Sequence, residues 1–345
     1  MKAAEDSRTL PRPRDWRVFP HASPSARFWS AGYCKSRFIG VPCRFFLAWF
    51  VGFAFCVAFM SALAQTNSPV PLAEVPLKSR SGDLLVETRI NGSEPLLFKL
   101  DTGFGVTTIH PNRVESLNLE RVGHMTIIGI AGEEQADTYA KAVFDFGGAT
   151  YSPRRIASLP SEARRRWRKR DGILGEGFFR RFVVEIDVAK QRLRLFEPKT
   201  FEYNGSGEAL PISFKKDTPI IDATITPQGR TPIAGRFEID TGCDGDLCIG
   251  HEFVAANHLL DDGDAAQSDT RRGVGGGAEI RTGTLSELRM GTLVVKKPSA
   301  NFFLEGSPAG DGQSGHIGLG VLERYKMIFD YSRLRIILEP YAATN

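Results

Sequence analysis

Leu97-Phe98-Lys99-Leu100-Asp101-Thr102-Gly103 and Arg236-Phe237-Glu238-Ile239-Asp240-Thr241-Gly242 are two apolar runs that end in the same tripeptide. Alternating runs of this kind read as β-strands. Each strand would deliver an aspartate to a turn whose glycine relaxes backbone sterics. Two such units facing across an approximate two-fold axis would bring two carboxylates together. A close carboxylate pair suits general acid–base hydrolysis, because both cannot ionise easily and one keeps its proton near neutral pH.

A lone Asp-Thr-Gly is a weak signal, since Asp and Gly are ordinary turn residues. The surroundings of the two copies carry more. Each is followed by a short apolar return, Val106-Thr107-Thr108-Ile109 and Leu247-Cys248-Ile249, and then by a helix-like stretch at 111–117 and 251–260. Gly172-Ile173-Leu174-Gly175 and Gly315-His316-Ile317-Gly318 come later. Each precedes an apolar strand ending in aspartate, Phe182-Val183-Val184-Glu185-Ile186-Asp187 and Tyr325-Lys326-Met327-Ile328-Phe329-Asp330. Basic alternating strands at 192–196 and 333–338 close each unit, before Glu197-Pro198 and Glu339-Pro340. The spacing is 139 from residue 101 to 240 and 143 from 187 to 330. The pattern reads as a duplicated domain, too long in period for a solenoid. Duplicated β-domains with plain turn aspartates are the bland alternative.

This ordering resembles the pepsin and retropepsin superfamily of aspartic proteases, and more narrowly a bacterial retropepsin-like family in a two-copy, single-chain form. The resemblance covers about residues 77–340. It implies a mostly β fold of two homologous retropepsin-like β-barrel lobes with a cleft between them. It implies that Asp101 and Asp240 are the catalytic pair. Thr102, Gly103, Thr241 and Gly242 would support the two active-site loops, with the threonines interlocking them. In that family two hydrophobic residues and a glycine follow later. Here these are Ile173-Leu174-Gly175 and His316-Ile317-Gly318, with a histidine at the first position of the second set. Phe104 and Cys243 stand where the family usually has a small residue. A phenylalanine there would narrow the cleft or shape a pocket, or mark a lobe drifting from catalysis.

The expected chemistry needs no metal or organic cofactor. One carboxylate acts as general base on a water and the other as acid on the scissile carbonyl. A peptide or protein substrate would lie extended along the cleft. Gly129-Ile130-Ala131-Gly132 and Gly273-Val274-Gly275-Gly276 are candidate flaps, because glycine permits flexing and positive φ. Ordinary hairpin turns would look the same. A peptide-binding or scaffold module of the cell envelope that lost turnover is the alternative function.

Residues 45–64 hold no charge and are long enough to span a bilayer, yet they end in Ser61-Ala62-Leu63-Ala64-Gln65. The small residues fit a signal-peptide cleavage site and predict a periplasmic or secreted protein. An uncleaved anchor, holding the enzyme on the outer face of the inner membrane, is the competing reading, and only then is a membrane a partner. The segment 1–44 carries nine Lys/Arg and three Asp/Glu, so the whole chain's +4 becomes about −2 beyond residue 65. That balance gives no support to nucleic-acid binding. Arg164-Arg165-Arg166-Trp167-Arg168-Lys169-Arg170 reads as a solvated basic segment or a site for an acidic partner.

Residues 1–65 are read as leader, 66–199 as the first lobe, 200–211 as linker and 212–345 as the second lobe. Two fused lobes are expected to work as a monomer. Of five cysteines, only Cys243 and Cys248 lie beyond the leader, and whether they bridge is open. There is no His-Glu-x-x-His zinc motif, no Gly-x-Ser-x-Gly elbow and no Cys/His set with metal spacing.

Overall fold

The computed structural model describes residues 69–129, 132–158, 170–261, 267–274, 276–305 and 312–341. The leader reading, Ile130, Ala131, Gly275 and most of the basic run at 164–170 lie outside them. The described residues belong to one compact unit, Thr66–Asn345. Strands dominate, in one 15-stranded and one 10-stranded sheet.

The aspartate-bearing strands are central, and the residues that lead into each aspartate are buried on both faces, Lys99 and Glu238 among them. In the first half, strand Leu96–Leu100 pairs antiparallel with Asp83–Ile90 and parallel with Gly172–Leu174. The return strand Thr108–Ile109 then pairs antiparallel with Gly172–Leu174. In the second half, Ile233–Asp240 pairs antiparallel with Thr218–Thr226 and parallel with Gly315–Gly318. There Leu247–Ile249 pairs antiparallel with Gly315–Gly318. The same set of pairings therefore occurs in both halves. Such an arrangement leaves each aspartate at the end of a strand held from both sides.

The glycines that close the two later motifs have a steric reason. A β-carbon on Gly175 would collide with the carbonyl of Phe104, and one on Gly318 with the carbonyl of Gly245. Both carbonyls belong to the loops that follow the aspartates. Each glycine also begins a short helix, Glu176–Arg181 or Leu319–Leu322. Only a residue without a side chain lets the loop lie this close.

The two halves join through a shared sheet. Strand Val183–Asp187 pairs antiparallel with Tyr325–Asp330, with Val184 opposite Phe329. Arg192–Phe196 and Arg335–Pro340 are their respective hairpin partners. Ala73–Arg80 and Glu208–Pro211 add the outer strands. The last of these lies inside the segment read as a linker, and it is strand because it has an open edge, that of Arg335–Pro340, to pair with. Phe179 and Phe329 meet edge to face at 5.2 Å, with Tyr331 and Phe178 completing the aromatic stack between the halves.

Local differences from the sequence reading have local causes. The 111–117 stretch forms two 3-10 turns, Pro111–Arg113 and Glu115–Leu117, ended by left-handed Asn118. The 251–260 stretch is helical only over His251–Ala256, and His258 is left-handed at φ 52°. The closing strand starts at Arg335, after a 3-10 turn that ends at left-handed Leu334.

Phe329→Ala would empty a fully buried ring site in the sheet that joins the halves. It should destabilise the protein by about 3–5 kcal/mol, read as a lower denaturant midpoint. A loss within experimental error would contradict a common core across the two halves.

Candidate active site

Thr102 and Thr241 are completely buried, and their contacts are reciprocal. The Thr102 amide donates to Thr241 Oγ1 at 3.0 Å, and the Thr241 amide donates to Thr102 Oγ1 at 3.0 Å. Each hydroxyl then donates across the divide, Thr102 to the Ile239 carbonyl at 2.7 Å and Thr241 to the Leu100 carbonyl at 3.1 Å. Four hydrogen bonds with no access to water thus tie one aspartate loop to the other. A buried hydroxyl needs partners, and here those it finds belong to the opposite half.

This lock brings Asp101 and Asp240 together. Each is 8% exposed, and each lies against the loop glycine of the opposite half, close enough for one charge to act on the other. Gly103 and Gly242 are the residues that permit it. A β-carbon on Gly103 would lie 2.5 Å from Asp240 Oδ1, and one on Gly242 would collide with the Asp101 carboxyl. The Gly242 amide also donates to Asp240 Oδ1 at 2.7 Å. All six residues assigned to the two Asp-Thr-Gly loops therefore form one constellation.

The environment of the pair is asymmetric. Two residues before Asp101 stands Lys99, and two before Asp240 stands Glu238, each on its aspartate's face of the strand. Both are buried. The Lys99 ammonium is 2.8 Å from Asp83, donates to the Gly242 carbonyl at 2.7 Å, and is 3.9 Å from Asp101 Oδ2. Arg170 holds the other Asp83 oxygen at 2.7 Å. On the second side His316 Nδ1 is 2.9 Å from Asp240 Oδ2, and its Nε2 is 3.6 Å from Glu238 Oε2.

These contacts push the two carboxyls apart in acidity. Burial and the negative charge of Asp240 raise Asp101 to about 7, against the opposing pull of Lys99 and Arg170. Burial alone would raise Asp240 too, but the hydrogen bond and charge of His316 outweigh it and hold that carboxyl below its ordinary value. Burial raises Glu238 to about 7. Burial opposes a charged His316, yet Glu238 and Asp240 together raise it to about 10. The pair titrates as a unit, and the directions of the two shifts favour the shared proton on Asp101.

Lys99, Asp83 and Glu238 had no assigned role in the sequence, and Arg170, read there as the end of a solvated basic segment or acidic-partner site, is instead largely buried against Asp83. The period-2 alternation that places Lys99 with Asp101 and Glu238 with Asp240 was the available signal. Phe104 packs against a cluster of Ile127, Ala136, Ala157 and Ile173 in the first half. Cys243 and Cys248 are free thiols with sulfurs 3.3 Å apart.

The candidate flaps are hairpins. Strands Glu120–Gly129 and Gly132–Ala140 form one, and Gln267–Gly273 and Gly276–Thr284 the other. Their tips touch: Val274 of the second lies so close to Gly129 of the first that a β-carbon there would collide with it. Val274 also packs against the cluster that holds Phe104. Among the described residues, no group of three or more His, Cys, Asp or Glu is placed to hold a metal ion.

Thr102→Ala and Thr241→Ala should each cost about 1–3 kcal/mol of stability, because each strands a buried amide of the opposite loop. Chemical denaturation reads this, and a change near zero would contradict the lock. The stability of the Asp101→Asn protein is informative as a function of pH. The folded pair binds its proton more tightly than the unfolded chain, so wild-type stability should fall as pH rises from about 4 to about 7. Asp101→Asn should gain on wild type across that window. An equal difference at pH 4 and pH 8 would contradict the shared burial of the pair.

Comparison with known proteins agrees with this geometry. A family model described as aspartyl protease matches residues 86–178, which hold the first Asp-Thr-Gly and the Ile173-Leu174-Gly175 segment. The fold is similar to that of the aspartic proteinase from Irpex lacteus, with a TM-score of 0.54 at 14% identity. That similarity covers 79% of this chain and 98% of the other. No curated protein sequence matches. Over residues 86–178 the chain is thus similar to aspartyl proteases, and its fold is similar to that of an aspartic proteinase.

Proposed function

We propose that this protein is an exported aspartic endopeptidase that hydrolyses peptide bonds with Asp101 and Asp240. The observation that supports this most is two buried carboxyls, each packed against the glycine of the opposite loop, with opposite shifts in acidity. The aspartyl protease match and fold support peptide hydrolysis as the reaction class.

The steps follow from where the proton sits. Asp240, ionised, accepts a proton from a water held between the carboxyls. The water oxygen attacks the carbonyl carbon, and Asp101 gives its proton to the carbonyl oxygen. The product is a neutral gem-diol, with the charge now on Asp101 and the proton on Asp240. Asp240 then returns its proton to the amide nitrogen as the carbon–nitrogen bond breaks. A diol hydroxyl proton goes back to Asp101 and restores the starting state. No charge builds up on the substrate oxygen, because Asp101 supplies a proton to it as the water attacks.

The two glycine hairpins, including Gly129, Gly132, Gly273 and Gly276, act as paired flaps that part to admit an extended peptide. The duplicated layout makes the chain a complete catalytic unit, so it works as a monomer. A cleaved signal peptide at 45–64 would release it to the periplasm or exterior, and an uncleaved one would anchor it to the membrane.

Purified protein should cleave members of a peptide library, and Asp101→Asn and Asp240→Asn should each lose activity by about 10³-fold or more. The alkaline limb of kcat/KM should fall near pH 7, where Asp101 gives up its proton. Absence of cleavage by the wild type from acid to neutral pH would overturn the enzyme reading. It would leave a peptide-binding module.

A further inference from the structure

Ile173 and His316 occupy the same place in the two halves. Ile173 is paired in register with Lys99, and His316 with Glu238, in parallel strand pairs of the same kind. The first half therefore has an alkyl group beside a buried cation. The second has an imidazole beside a buried carboxylate. The chemistry differs at this matched position, as it does at Lys99 and Glu238 beside it.

His316 is 6% exposed and sits between two carboxylates. Nδ1 is at hydrogen-bond distance from Asp240, 2.9 Å. Nε2 is 3.6 Å from Glu238, which is ion-pair distance and too long for a hydrogen bond. Nε2 is buried and has no hydrogen-bond partner, so what Glu238 offers it is charge attraction, in full once that carboxyl, raised to about 7, is ionised. Other groups also face or neighbour the ring. Cys248 lies opposite it in the Leu247–Ile249 strand. Cys243, in the loop after Asp240, is another neighbour; the Cys248 sulfur and burial keep it a neutral thiol. Thr218, whose hydroxyl donates to the Lys215 carbonyl at 3.3 Å, lies near Glu238 on the neighbouring strand. Asp101 lies beyond Asp240, and Lys99 lies beyond Asp101. With Asp240 and Glu238 both within reach, an imidazolium is the species that matches this cage.

The first half offers no equal pull on Asp101. Lys99 is 3.9 Å from Asp101, but its nearer contacts are Asp83 and the Gly242 carbonyl. We propose that His316 is a positioning residue: as an imidazolium clamped between Glu238 and Asp240, it fixes Asp240 as the ionised base and leaves the proton on Asp101. This inference rests on the aspartic protease reading and assigns the two carboxyls their separate roles. In a pair without such a clamp, either aspartate could hold the proton. Here the assignment is built into the fold.

Two kinds of measurement test it. Ring-nitrogen NMR of histidine-labelled protein, with the His316 signals assigned by their loss in His316→Gln, reads the charge of the ring without reference to activity. An imidazolium signature that persists to pH 9 supports the clamp. A neutral ring by pH 8, titrating in the ordinary histidine range, overturns it. In Asp240→Asn the same signature should be lost at lower pH. The second measurement is the pH profile of kcat/KM for wild type, His316→Gln and His316→Ile, the last being the residue of the first half. Removal of the cation should move the acid limb up by about one pH unit or more, with KM little changed. His316→Gln keeps a donor to Asp240 and should lose less at the optimum than His316→Ile. Cleavage by wild type with unshifted acid limbs in both variants would refute the positioning role and leave the peptidase intact. If wild type cleaves nothing, the peptidase reading fails, and the NMR result alone decides whether the clamp exists. If His316→Ile does not fold, His316→Gln and the wild-type spectrum decide.

Discussion

Two carboxyl groups in one buried space cannot both carry a charge at ordinary cost. At about 4 Å their repulsion in a poorly screened site is several kcal/mol, so the pair retains a proton that free aspartates would have lost. Nearly everything else around the dyad of this protein serves that one condition. The reciprocal Thr102–Thr241 hydrogen bonds bring the carboxyls together. Gly103 and Gly242 leave them room. The shared sheet of Val183–Asp187 and Tyr325–Asp330 keeps the halves from drifting apart.

The halves match in backbone and differ in charge. Each has a buried titratable residue two positions before its aspartate, but Lys99 in one and Glu238 in the other. Exact symmetry would make the two aspartates equivalent, with the proton free to reside on either. A lysine held by Asp83 and Gly242 on one side, and a Glu238–His316 couple on the other, removes that equivalence. The same strand register that repeats the fold thus places different chemistry at matched positions.

Much of this was legible in the sequence. The paired Asp-Thr-Gly runs, their apolar returns and the later glycine motifs led to the fold and to the six loop residues. They did so because strand period and turn chemistry are local properties. The surroundings of the dyad were less legible. Lys99 meets Gly242 across 143 positions of chain, and no local pattern reports such a contact. His316 stood out only as a departure from an apolar motif, since its partners Glu238 and Asp240 lie 78 and 76 positions away in the numbering (316 less 238 and 240). The limits of the short helices were also unreadable. Left-handed residues such as Asn118 and His258 end them, and neither is a glycine.

The central claim is that Asp101 and Asp240 act as one site in one chain. Calorimetric titration with a statine-type peptide, whose hydroxyl mimics the gem-diol between the carboxyls, tests it most directly. The account predicts one binding site per chain, with affinity lost in both Asp101→Asn and Asp240→Asn. Binding that survives either substitution unchanged, or no binding to the wild type, would contradict it.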